Sequence, residues 1–272
     1  MKITIISDNY VDATGLMAEH GFSCLIEANG KRILFDTGQG HVLMNNLAGL
    51  QISKDIDMIV FSHGHYDHTG GLSRYLGELS EYCTDIYASS YIFDNHLKKS
   101  GSDYDYLGFE AKRSDVEQKY TLHLNDSFAE ISDGVFLSGP VKRFEEFNAD
   151  GRLYAEIGGH YGKDMFRDEQ YLAIRTEEGI HIITGCTHCG AVNLLKDADA
   201  KFPDKKILSL TGGLHMFRSD DSQTEHVIAY LEKEGIKSVN TGHCTGLDAA
   251  MKMKVRLGDA VTINKAGTVI NL

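Results

Sequence analysis

Residues 2–7 read Lys-Ile-Thr-Ile-Ile-Ser, and short apolar stretches recur at 22–28 and 31–36, so three strands are predicted at the start of the chain. Glu27-Ala28-Asn29-Gly30-Lys31 joins the last two, and Asn-Gly suits the positive-φ positions of a type I′ hairpin turn. From residue 41 helical spacing enters: a helix over 41–49, a strand over 57–62, a helix over 69–79, a strand over 84–89 and a helix near 91–98. The stretches 99–120 and 141–169 are polar and aromatic without a clear period, and are read as long surface loops or lids.

The second half has a plainer pattern. A hairpin over 171–177 and 180–184 turns at Thr176-Glu177-Glu178-Gly179. Strands Ile180–Thr184, Lys206–Thr211 and Ser238–Thr241 are followed by helices near 190–201, 221–234 and 245–256. A closing strand pair, 260–264 and 267–271, is expected to turn at Lys265-Ala266-Gly267. The order predicts an α/β fold: two mixed sheets with helices on their outer faces, a four-layer α/β/β/α sandwich. One domain is expected over 1–272, with loop insertions near 99–120 and 141–169.

Composition narrows the function classes. A net charge of −12 without a Lys/Arg-rich run disfavours a nucleic-acid partner. No apolar run approaches the roughly 18–20 residues of a membrane span, and the strand-like opening lacks the apolar stretch of a secretory signal, so a cytoplasmic protein is expected. Five cysteines, Cys24, Cys83, Cys186, Cys189 and Cys244, make an odd and scattered set, better read as thiols than as a disulfide framework.

Strand 57–62 runs directly into His63-Gly64-His65-Tyr66-Asp67-His68, which places four metal-competent side chains within six residues at a strand end. His63 and His65 suit one ion, Asp67 and His68 a second. Each of the three later strands ends in Thr-Gly and then delivers a histidine: His188, His215 and His243. Neighbouring strands of strand-to-helix units open onto one rim, so these histidines are expected to converge, and with the first cluster they suit two ions about 3.5–4 Å apart. A structural zinc built on the Cys-x-x-Cys of Cys186 and Cys189 with Cys244 is a rival, but it needs a fourth ligand and leaves the stronger His63–His68 cluster unexplained. Neither a Gly-x-Ser-x-Gly elbow nor a Gly-x-x-x-x-Gly-Lys phosphate loop occurs.

His63-x-His65-x-Asp67-His68, preceded by Ile33-Leu34-Phe35-Asp36-Thr37-Gly38, resembles the metallo-β-lactamase fold superfamily. Thr184-Gly185-Cys186-Thr187-His188-Cys189-Gly190, Gly212-Gly213-Leu214-His215, Gly242-His243-Cys244-Thr245-Gly246 and Ser138-Gly139-Pro140-Val141-Lys142-Arg143 are similar to one branch of it. That branch is named for 7,8-dihydropterin-6-methyl-4-(β-D-ribofuranosyl)aminobenzene-5′-phosphate synthase. The resemblance implies the metallo-β-lactamase fold, with Asp36 bracing the histidine loop without binding metal, and ligands His63, His65, Asp67, His68, His188, His243 and Cys186. Cys186 stands where most members carry a bridging aspartate, and Ser138-Gly139-Pro140 where most carry a further histidine, for which His188 is the favoured substitute.

Three functions are expected from this. The first is a metal-dependent hydrolase whose metal-activated hydroxide, oriented by Asp67, attacks a small phosphorylated or ester-like metabolite, with His188 also catalytic. The second is a transferase of the branch's named type that releases diphosphate, and the third a metal-stabilised ligand-binding protein without turnover. Two divalent ions are expected, zinc first, with manganese and iron as the alternatives. His215, Lys142 and Arg143 are candidates for substrate contact. Tyr104, Tyr106 and Phe109 could stack on a flat ring, and Arg152 could meet phosphate. The expected partner is a small molecule, with neither nucleic acid nor membrane involved and a homo-oligomer left open.

Overall fold

Asn29 and Gly30 take φ of 51° and 73°, the turn that their sequence predicts, and they join strands Ser23–Ala28 and Lys31–Phe35. The structure, a computed structural model, describes residues 1–147 and 150–272. The chain divides into two compact units, one of residues 1–126, 150–168 and 265–272, the other of 127–149 and 169–264.

The first unit holds a seven-stranded mixed sheet in the order Val269–Asn271, Lys2–Ser7, Ser23–Ala28, Lys31–Phe35, Met58–Val60, Asp85–Ala88 and Thr121–Leu124. Its first four strands pair antiparallel, one pair through the tight Asn29-Gly30 hairpin, and the rest add in parallel. Helices Leu43–Gly49 and Tyr66–Arg74 bury Leu43, Leu47 and Leu72 in a core with Leu34, Ile59 and Phe61. Each such aliphatic side chain contributes about 1.5–3 kcal/mol on burial.

The second unit repeats the plan. Its sheet runs Val261–Ile263, Ser238–Thr241, Ile207–Gly212, Ile180–Ile183, Leu172–Arg175, Val135–Leu137 and Ala129–Ser132. The first four strands are parallel neighbours and the remainder antiparallel. Helix Asp221–Glu234 begins where Asp220 accepts from the Gln223 N–H and stops at Gly235, φ 65°, with Val227, Ile228 and Leu231 facing the core. Both units are α/β, and the two mixed sheets with helices match the predicted fold class. Among the described residues no helix is long and apolar enough to cross a membrane.

Three local expectations are corrected. The helix near 91–98 is the strand Asn95–Ser100, because it pairs with the distant Leu153–Ile157. The supposed loops contain Asp103–Tyr106, Leu153–Ile157 and His160–Lys163, which with Asn95–Ser100 form a four-stranded antiparallel sheet in the first unit. Its outer strands are exposed on both faces and so carry no period-2 signal. The closing strands do not form a hairpin: Val261–Ile263 joins Ser238–Thr241, whereas Val269–Asn271 joins Lys2–Ser7.

Candidate metal centre

The loop after Met58–Val60 leaves the carboxyl end of a central parallel strand, and helix Tyr66–Arg74 starts immediately behind it. Asp67 in that helix's first turn suits the positive end of the helix dipole. His63, His65 and His68 are buried, with the His63 ring centroid 4.7 Å from His65 and 4.3 Å from His68. Asp67 is buried as well, and its Oδ2 lies 3.2 Å from Nε2 of the half-exposed His20.

Asp36 organises these rings. Its carboxylate accepts from the Ser62 N–H at 2.8 Å and the Ser62 hydroxyl at 2.7 Å, and from His68 Nδ1 at 2.7 Å. His68 therefore carries its proton on Nδ1 and keeps the Nε2 lone pair. Since Ser62 spends its proton on Asp36, its oxygen accepts from His63 Nδ1, 2.9 Å away, and His63 too is left with an Nε2 lone pair. One carboxylate thus sets the tautomer of two rings. Burial, followed by repulsion from the neighbouring imidazoles, holds the His63 pKa well below its ordinary value. His65 is pushed down to about 3, with burial first and His96 second among the causes. Neutral imidazoles crowded in this way are ready metal donors.

Behind the loop lies an arrangement that sequence spacing did not reveal. His96, which shows no ligand spacing in the sequence, is buried, and its ring centroid lies 5.0 Å from that of His65. Its Nδ1 bonds Asp164 at 2.6 Å and its Nε2 bonds Asp168 at 3.1 Å. The two carboxylates outweigh burial and raise the His96 pKa well above its usual value. Asp168 also accepts the Gly64 N–H at 2.7 Å, so the chain from Asp164 to Gly64 ends between the first two histidines. A side chain at Gly64 would collide with the Ile92 carbonyl. The partners of His96 lie 68 and 72 residues further along the chain, a separation that leaves no motif.

In the second unit the three strand-end histidines do converge. The His188 and His215 rings are 4.2 Å apart, and Cys186 Sγ is 3.4 Å from His243 Nε2. Their loops are stitched together: Thr187 Oγ1 donates to the Gly213 carbonyl, the Gly213 N–H to Gly185 at 2.8 Å and the Met216 N–H to Cys244 at 3.0 Å. Glu169, also missed in the sequence, accepts the N–H groups of His188 and Cys189. Cys244 is buried, which raises its pKa, yet Cys186 and the imidazoles of His243 and His215 outweigh burial and bring the thiol well below its ordinary value.

Among the described residues, seven non-glycine residues take positive φ, and four of them are Asp36, Thr187, His215 and His243. Each such conformation costs on the order of 1–3 kcal/mol, so backbone strain concentrates where the donors gather. The donor chemistry of both clusters fits divalent metal: neutral imidazoles, a carboxylate and thiols at the ends of adjacent strands.

The residues assigned to substrate contact are less uniform. Lys142 is exposed, its ammonium 5.2 Å from the Phe144 ring centroid, and Arg143 donates to the Phe147 carbonyl at 3.4 Å. Arg152 is held by Asp150, and Tyr104 stacks on Tyr161 at 5.0 Å. Phe109 is corrected: it is buried against Phe61 and Phe93 and serves the core.

A family model of the metallo-beta-lactamase superfamily matches residues 17–80, the segment containing Asp36 and the histidine loop. The 7,8-dihydropterin-6-methyl-4-(beta-D-ribofuranosyl)-aminobenzene-5'-phosphate synthase of Methanocaldococcus jannaschii is 31% identical over 268 residues, spanning 92% of this chain and 89% of that protein. An uncharacterized protein of the same organism is 32% identical over 237 residues, 87% of this chain and 88% of its own length. Among solved structures, Tm1679, described as a metal-dependent hydrolase of the beta-lactamase superfamily, superposes with a TM-score of 0.86 at 30% identity, covering 100% of this chain and 99% of that one.

Proposed function

The chain belongs to the metallo-β-lactamase superfamily and is an enzyme of that fold, and from this premise we propose that it is a metal-dependent hydrolase of a small phosphorylated or ester-like metabolite. The observation that carries the reading is the Asp36–Ser62 arrangement, which holds the protons of His63 and His68 on Nδ1 and so makes Nε2 the donor atom of each ring, in the same loop as Asp67.

His63, His65, Asp67 and His68 would hold metal in the first unit. By the family pattern, His188, His243 and Cys186 would hold metal in the second. A bound divalent ion supplies Lewis acidity and makes water a stronger acid. Asp36 keeps the rings oriented before substrate arrives, so no reorganisation is required during reaction. Asp67 orients the attacking water and holds its proton, and the half-exposed His20, 3.2 Å away, is placed to pass that proton to solvent. Lys142 and Arg143 are assigned to a substrate phosphate.

The test is a panel of phosphomonoesters, phosphodiesters, thioesters and lactones, assayed with zinc, manganese and ferrous iron. Hydrolysis that disappears in His65→Ala and Asp67→Asn is expected, and silence across the panel in metal-replete protein contradicts the reading.

A second reading is favoured by the relative that matches 92% of the chain. In it the enzyme is a synthase that joins a dihydropterin-methyl group to a ribofuranosylaminobenzene phosphate, with diphosphate leaving. The same donors would steady the departing diphosphate in place of a water attack. Diphosphate release that needs both co-substrates selects this reading, and release with water alone selects the hydrolase.

A further inference from the structure

We propose that Cys186, His215 and Cys244 form a thiolate-bearing metal site contained within the second unit, one that takes a borderline-soft divalent ion, zinc or ferrous iron, in preference to manganese. The inference deepens the metal-enzyme reading by adding two ligands beside Cys186 and naming the class of ion. It uses no residue of the His63–His68 loop, so it can fail separately.

The three side chains each offer a ligand atom, and these atoms lie within 4.8 Å of one another with all three residues buried. His215 is only 6% exposed, and neither of its ring nitrogens has a hydrogen-bond partner. A buried polar group in that position costs about 1–3 kcal/mol, a penalty that coordination of one nitrogen removes. Neither cysteine is tied up in a disulfide.

The spacing suits coordination. Two ligands of one tetrahedral ion, sulfur at about 2.3 Å and nitrogen at about 2.0–2.1 Å, lie about 3.5 Å apart. Cys186 Sγ and His243 Nε2 are 3.4 Å apart, so His243 stands as the neighbour able to close a fourth position. The backbone is shaped for this approach, since His215 and His243 both take positive φ, and Gly213 leaves room for Cys244 Sγ where a Cβ would strike it. Two thiolates and one imidazole make a soft donor set, whereas manganese favours carboxylate, carbonyl and water. On binding, each thiol loses its proton to the buffer as the metal–sulfur bond forms.

The experiment is a cobalt(II) titration of the full-length, reduced, metal-stripped protein under anaerobic conditions. A near-ultraviolet thiolate-to-cobalt charge-transfer band is expected, and it should persist in the His65→Ala/His68→Ala double variant. Cys186→Ser should abolish or halve it, Cys244→Ser should halve it, and His215→Gln should weaken cobalt affinity at least about tenfold. A wild-type protein without the band overturns the proposal. So does a band of unchanged intensity in Cys244→Ser, which would leave Cys186 as a lone thiolate ligand. X-ray absorption at the zinc edge of the loaded wild type needs no variant: it should show two sulfur neighbours per chain at about 2.3 Å, and fewer than two overturns the assignment.

Discussion

Asp36 shows how much one residue can determine. It is buried, takes φ of 54° and accepts three hydrogen bonds that set two histidine tautomers. Asp36→Ala should lower metal affinity by about 10–100-fold, measured by chelator competition, and unchanged affinity would show that the rings are oriented by other means. Asp168 acts through the backbone instead, holding the Gly64 N–H while facing a cationic His96. Asp168→Asn leaves that buried charge half-compensated and should cost about 3–5 kcal/mol in urea unfolding, whereas a loss below about 1 kcal/mol would mean that the pair contributes little. The metal-free protein should also be acid-sensitive. His63 and His65 titrate below the ordinary value near 6.5 when folded, so on acidification the unfolded chain binds protons first. Their contribution to stability is complete above about pH 6.5 and is lost as pH falls toward 3. Urea midpoints at pH 7 and pH 5 should separate more in metal-free wild type than in His65→Asn, and equal separation would contradict this.

At the scale of elements, legibility depended on whether a signal was local. The Asn29-Gly30 turn lies next to the hairpin it controls and made it readable, and helix Asp221–Glu234, bounded by the Asp220 cap and the Gly235 stop, carries its signals within its own short stretch. The strand Asn95–Ser100 was not, because its partner Leu153–Ile157 is far along the chain and only that pairing makes it a strand. The same holds for the candidate centre. His63–His68 is one short run, and the three Thr-Gly strand ends repeat a visible pattern, whereas the His96–Asp164–Asp168 arrangement exists only after the four-stranded sheet has formed. That sheet changes what truncation should do. Phe109 lies between Phe61 and Phe93, so Phe109→Ala should destabilise by about 3–5 kcal/mol, while Tyr161→Ala, on an exposed strand, should stay below about 1.5 kcal/mol. Equal losses in denaturant unfolding would place the segment outside the core.

For the molecule as a whole, each unit carries its donors at the carboxyl ends of parallel strands, the edge where α/β sheets bind ligands. The superfamily and fold class follow from the histidine loop and the strand-end histidines together, while the substrate has no comparably local signature, since a hydrolase and a synthase require the same donors. The most direct test of the central claim is elemental analysis of anaerobically purified protein, wild type beside His65→Ala/His68→Ala. Stoichiometric metal in the wild type, reduced by at least one equivalent in the double variant, is the predicted result; a wild type without metal, or a double variant with the same content, would contradict it.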